Sequence, residues 1–195
     1  MSAIKSVLQR IFAPQKRVSE DKRTLHFATG IYLLLLIWAI VFKFSFITEI
    51  NVNSPIPLGK RFLKGFQFFS YFLDSNPWRL IRGFLVAILN VFLFVPWGIY
   101  ASFFYDAKRA VCFAGSFSCI VECIQLFARF GVFSFEDMLL NTLGAFLGVL
   151  LFNRYINCIS ENTTQTVNRW TVRIGAPLAA LAYFNVIVAM ALYFS

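Results

Sequence analysis

Glu122 lies inside an apolar stretch of this chain with Ser118, Gln125 and Arg129 on the same side, and a second stretch opens with Asp137 and Asn141. At 100 degrees per residue, Ser118, Glu122, Gln125 and Arg129 fall within an arc of about 60 degrees on one helix, so they form a single polar stripe. Asp137, Asn141, Gly144 and Gly148 fall within a similar arc on the next. A carboxylate in a lipid-facing helix costs roughly 2.5 to 3.5 kcal/mol on insertion scales, so a stripe of such groups requires partners or a task. Two carboxylates, two amides and a guanidinium suit a polar or phosphorylated headgroup: Arg129 for phosphate, Glu122 and Asp137 for amine or hydroxyl groups. The bland alternative is a hydrogen-bonded plug between two helices. Polar contacts within a membrane average only about 0.6 kcal/mol, so packing alone does not call for so many charged members.

The same residues admit catalysis. One of Glu122 and Asp137 could act as a general base on a lipid phosphate or glycosyl carrier while the other, with Asn141, holds Mg²⁺. No nucleophile stands beside a base in this part of the sequence, and a binding role without catalysis is the leading expectation. No cofactor is expected. His26 is the lone histidine, and Cys112, Cys119 and Cys123 recur at the spacing of one helical stripe, as small apolar residues do. Cys158 stands apart from them, and no metal is expected.

These side chains need a membrane to sit in, and the composition supplies one. Of 195 residues, 59% are hydrophobic and 14% charged, against about a quarter charged in soluble domains. The net charge of +9 would suit a nucleic acid, but the basic residues stand at the ends of apolar runs, so lipid headgroups are the expected counterions and nucleic acid is excluded. The expected fold is all-α, a polytopic bundle of about five transmembrane helices, at about Phe27 to Ile47, Arg79 to Phe104, Ala110 to Ala128, Phe133 to Phe152 and Thr171 to Phe194. Residues 1–24 form a basic cytoplasmic segment and 25–195 one transmembrane domain. Within the first, Ile4, Val7, Leu8, Ile11 and Phe12 share a face beside Lys5 and Arg10 and predict an amphipathic helix that Pro14 ends. The first apolar run is too long for a signal-peptide core, so it is read as an uncleaved helix.

Between the first two spans, Leu58 to Leu73 mixes Lys60, Arg61 and Lys64 with Phe62, Phe66 and Phe69 and predicts an interfacial helix. Asn76 before Pro77 marks the N-cap of the second span, and Pro96 should kink it. Asn90 on that span either joins the polar cluster or caps a carbonyl freed by Pro96, and Arg79 and Arg82 either hold phosphate or, as the favoured reading, snorkel to the interface. An N-terminus inside places eleven Lys and Arg on the cytoplasmic side against seven outside, which favours that orientation and turns the polar hairpin outward. With a turn near Gly131, Glu122 should lie level with Leu140 or Asn141, and Gln125 level with Asp137. Arg129 would then neutralise Asp137.

The segment from Asn90 through Pro96-Trp97-Gly98, followed by Ser118-x-x-x-Glu122-x-x-Gln125, Arg129 and Asp137-Met-Leu-Leu-Asn141-Thr-Leu-Gly144-x-x-x-Gly148, resembles the VanZ-like family of bacterial membrane proteins. The resemblance is strongest from Asn90 to Gly148. It implies a helical bundle in the bacterial cytoplasmic membrane, an influence on glycopeptide susceptibility of the teicoplanin type, and polar family positions at Asn90, Glu122, Gln125, Arg129, Asp137 and Asn141. Where members often carry Asn-Leu-Ile-Pro-Phe after the first helix, this chain has Ser54-Pro55-Ile56-Pro57-Leu58. The expected partners are membrane lipids, a lipid-linked cell-wall precursor, and a second copy of the chain through Gly144 and Gly148, which permit close helix approach either within the protein or in a dimer.

Overall fold

The computed structural model describes residues 22–47, 57–64, 75–127, 133–155 and 161–194. All the elements among them are helices: α1 Lys22–Ile47, α2 Leu58–Lys64, α3 Pro77–Phe104, α4 Ala107–Phe127, α5 Phe135–Arg154 and α6 Glu161–Phe194. Lys22–Ile40 of α1 and the whole of α3, α4 and α5 are long and apolar enough to cross a membrane, with mean hydropathies of 1.5, 2.1, 1.8 and 1.5. The fifth expected span lies within α6, which is helical to Phe194, and its second half falls outside the described side chains. The expected amphipathic helix before Pro14 is outside the described residues, and of the interfacial helix only α2 is within them.

Helix starts follow local chemistry. Asn76 Oδ1 accepts from the Trp78 amide at 3.0 Å with Pro77 at the first helical position, the expected cap, although α3 begins two residues before the expected Arg79. At the start of α4, Asp106 Oδ1 accepts from the Arg109 amide at 2.8 Å, and the Arg109 side chain pairs with the same carboxylate at 3.5 Å. This cap sets the helix start at Ala107, a turn earlier than the expected Ala110.

The chain divides into two compact units. The first holds α2 to α5, and its tightest interface is between α3 and α5. There Gly98, Gly144 and Gly148 remove side chains where the backbones meet: a Cβ on Gly144 would overlap the Val91 carbonyl, one on Gly148 the Val95 carbonyl, and one on Gly98 the Ala145 carbonyl. The two glycines of the small-x-x-x-small motif thus serve an approach within the chain, bringing the Cα of Gly98 to 3.0 Å from the position a Gly148 Cβ would take.

Aromatic side chains lock α4 against this pair. Trp97 stacks on Phe117 at 5.1 Å between ring centres, and its indole N–H donates to the Ala110 carbonyl at 3.1 Å, so a half-buried polar tip finds its acceptor across the short α3–α4 turn. Phe94 is fully buried beside both rings. In the second unit α1 packs on α6: a Cβ on Gly175 would meet Ile31 Cγ2 at 2.7 Å, and the Tyr183 hydroxyl donates to the Leu34 carbonyl at 3.0 Å.

Candidate functional site

The start of α5 gathers the polar residues. Ser134 is its N-cap: the Ser134 hydroxyl accepts from the Asp137 amide at 3.1 Å, satisfying one of the donors that every helix start leaves open. In the usual capping box the acidic side chain at the third helical position would reach back to the N–H of the capping residue. Here the Ser134 N–H donates instead to Glu122 Oε2 on α4, at 2.7 Å. Glu122 completes the cap from another helix, with its carboxyl oxygen at the positive end of the α5 dipole.

Asp137 is thereby released from the cap. Its Oδ1 accepts a hydrogen bond from Asn90 Nδ2, which crosses from α3. Asn90 therefore joins the cluster, and of its two expected roles the capping of a carbonyl near Pro96 is not the one this bond serves. Three spans meet at one helix start: α3 through Asn90, α4 through Glu122, and α5 through Ser134 and Asp137.

Deeper in the bundle Asn141 Nδ2 donates to Ser118 Oγ at 2.8 Å. This corrects the expected register. Asn141 faces Ser118, one turn earlier in α4 than Glu122, and Glu122 reaches Ser134 rather than the level of Leu140 or Asn141. Equal-depth counting from a turn at Gly131 fixes depth by residue number alone, whereas Ser118 and Asn141 have short side chains, so their contact shows that the two backbones are themselves offset from that count.

Burial grades the cluster. Asn90, Ser118, Glu122, Gln125 and Asn141 are each at most 5% exposed, while Asp137 and Ser134 are only half-buried. The open end therefore lies at the α5 start and the closed end at Ser118. Asn141 Oδ1 is a buried acceptor that receives no hydrogen bond from the described residues. A buried acceptor of this kind carries a desolvation cost of about 1 to 3 kcal/mol unless something donates to it. Arg129, the expected partner of Asp137, lies outside the described residues.

Sequence reasoning passed over Ser134. Its signal was present, since Ser134-Phe135-Glu136-Asp137 before an apolar run has the capping-box pattern. The donation of its N–H to another helix is a tertiary fact that no local pattern carries.

The cluster falls within the part of the chain that known proteins share. The VanZ/LLP1 family profile matches residues 29–158, two thirds of the sequence. The chain belongs to the VanZ/LLP1 family. A relative, Protein VanZ of Enterococcus faecium, is 26% identical over 137 residues, covering 66% of this chain and 74% of its own length. No solved structure matches the chain at comparable significance. The four apolar helices and the family together make this a multi-pass membrane protein, and every residue of the polar cluster lies inside the family's region.

Proposed function

We propose that this VanZ-like protein binds the headgroup of a phospholipid or lipid-linked cell-wall precursor at the start of α5, and through it influences glycopeptide susceptibility of the teicoplanin type. The observation that carries the reading is Asn141 Oδ1, a buried acceptor that a hydroxyl or amine of a ligand would satisfy. The graded burial supports it, since half-buried Asp137 stands one turn of α5 from buried Asn141. In this proposal Glu122, Gln125, Asp137, Asn141 and Asn90 line the site and Arg129 meets phosphate. The protein lies in the bacterial cytoplasmic membrane with its N-terminus inside, which turns the α5 start to the outer face, where wall precursors and glycopeptides meet.

A catalytic role for Glu122 and Asp137 is the alternative, and it differs in what the cell accumulates. Cells expressing the wild type or Glu122→Gln at equal membrane levels are compared for teicoplanin susceptibility and for their phospholipids and lipid-linked precursors by mass spectrometry. The binding reading expects at least a twofold difference in susceptibility with unchanged lipid profiles. A species that appears or disappears only with the wild type would establish turnover instead, and equal susceptibility with equal profiles would refute both.

A further inference from the structure

The polar cluster leaves the unit of α1 and α6 without a role. One face of α1 there is open: Lys22, Arg23, His26, Phe27, Gly30, Leu34 and Ile37 are all exposed, at the spacing of a single helical stripe. They border an open, shallow groove of about 800 Å³ whose described lining stands entirely on α1. Its composition is divided by position. Two permanent cations and the histidine stand at the N-terminal end, and the remaining lining, from Phe27 to Ile37, is apolar.

We infer that this groove is a binding site for an anionic phospholipid, with Lys22 and Arg23 on the phosphate and one acyl chain lying along Phe27, Gly30, Leu34 and Ile37. Three observations select that occupant. The charge is complementary, because a basic cluster at the end of a membrane helix attracts anionic headgroups, and a zwitterionic lipid, whose own cation offsets its phosphate, gains less from it. The dimension fits: His26 to Ile37 spans about 16 Å of helix at 1.5 Å per residue, close to the roughly 15 Å depth of one leaflet.

The third observation is Gly30, midway along the groove. A Cβ there would meet nothing within 4 Å, unlike those on Gly98, Gly144 and Gly148, so no helix contact requires the glycine. Its missing side chain instead leaves the groove continuous between Phe27 and Leu34. In the orientation favoured by the basic residues, the lipid comes from the inner leaflet. The two sites are separate in residues, so either can fail without the other.

Delipidated full-chain protein in detergent, titrated with dioleoylphosphatidylglycerol or dioleoylphosphatidylcholine and followed by native mass spectrometry, tests the inference. The wild type should bind the anionic lipid at least tenfold more tightly. Lys22→Gln/Arg23→Gln should remove that preference, a loss of roughly 30-fold for two basic side chains near the surface. Gly30→Leu, which has open space for its side chain, should weaken the anionic lipid about tenfold while keeping the charges and the wild-type melting temperature. Equal binding of the two lipids by the wild type, or unchanged anionic-lipid binding by Gly30→Leu, would overturn the assignment.

Discussion

Gly148→Leu is expected to prevent assembly of the bundle. A Cβ at that position would overlap the Val95 carbonyl of α3 and crowd Gly98, and both are backbone, which cannot rotate away as a flexible side chain can. Relief requires α3 and α5 to separate, which also draws Asn90 away from Asp137 and loosens the rings around Phe94. Overpacking that a core can absorb costs about 1 to 3 kcal/mol, and separation of two spans exceeds that range, at about 4 kcal/mol or more. In detergent the variant should show no cooperative melting transition and rapid cleavage by trypsin. Gly115→Ala is the matched control: its Cβ meets only the Thr142 side chain, at 3.2 Å, and the melting temperature should fall by no more than a few degrees.

Glu122→Ala has the second largest expected effect. It strips the acceptor from the Ser134 N–H at the start of α5 and leaves a cavity in a residue position that is 2% exposed. A hydrogen bond to a charged group contributes about 1.5 to 3 kcal/mol, and the backbone donor left behind has no substitute among the described residues. Glu122→Gln behaves differently, because a Gln side-chain oxygen can still accept from Ser134. The expected order of thermal stability is wild type, then Gln slightly below, then Ala lower by about 2 to 3 kcal/mol. A Gln variant as unstable as Ala would mean that the charge beside the α5 dipole, rather than the hydrogen bond, holds the helix start.

The parts of this account that sequence could carry are those set by helical period. Ser118, Glu122 and Gln125 share a stripe because 100 degrees per residue puts them together, and all three are buried on one side of α4. Gly144 and Gly148 were legible as a close approach for the same reason, and Asn76 with Pro77 as a helix start because its cap is local. Period says nothing about which turn of one helix meets which turn of another. The level of Glu122 was therefore misplaced, and the α5 cap, which draws on a residue twelve positions away, could not be read from the pattern around Ser134. The choice between two roles for Asn90 was likewise open in the sequence, since it depends on where Asp137 stands in space.

The central claim is that the buried cluster is a binding site rather than a plug, and Asn141→Leu separates the two. Leu has nearly the shape of Asn, removes the unsatisfied Oδ1, and leaves Ser118 free to turn its hydroxyl to the carbonyl one turn back on its own helix. The decisive measurement is the lipid that stays bound to purified Asn141→Leu and wild-type protein of equal melting temperature, quantified by mass spectrometry. The account predicts that the wild type retains a specific headgroup class and that Asn141→Leu loses it with the fold intact. Identical retention by the two proteins, or a collapse in stability beyond the loss of one hydrogen bond to Ser118, would contradict it.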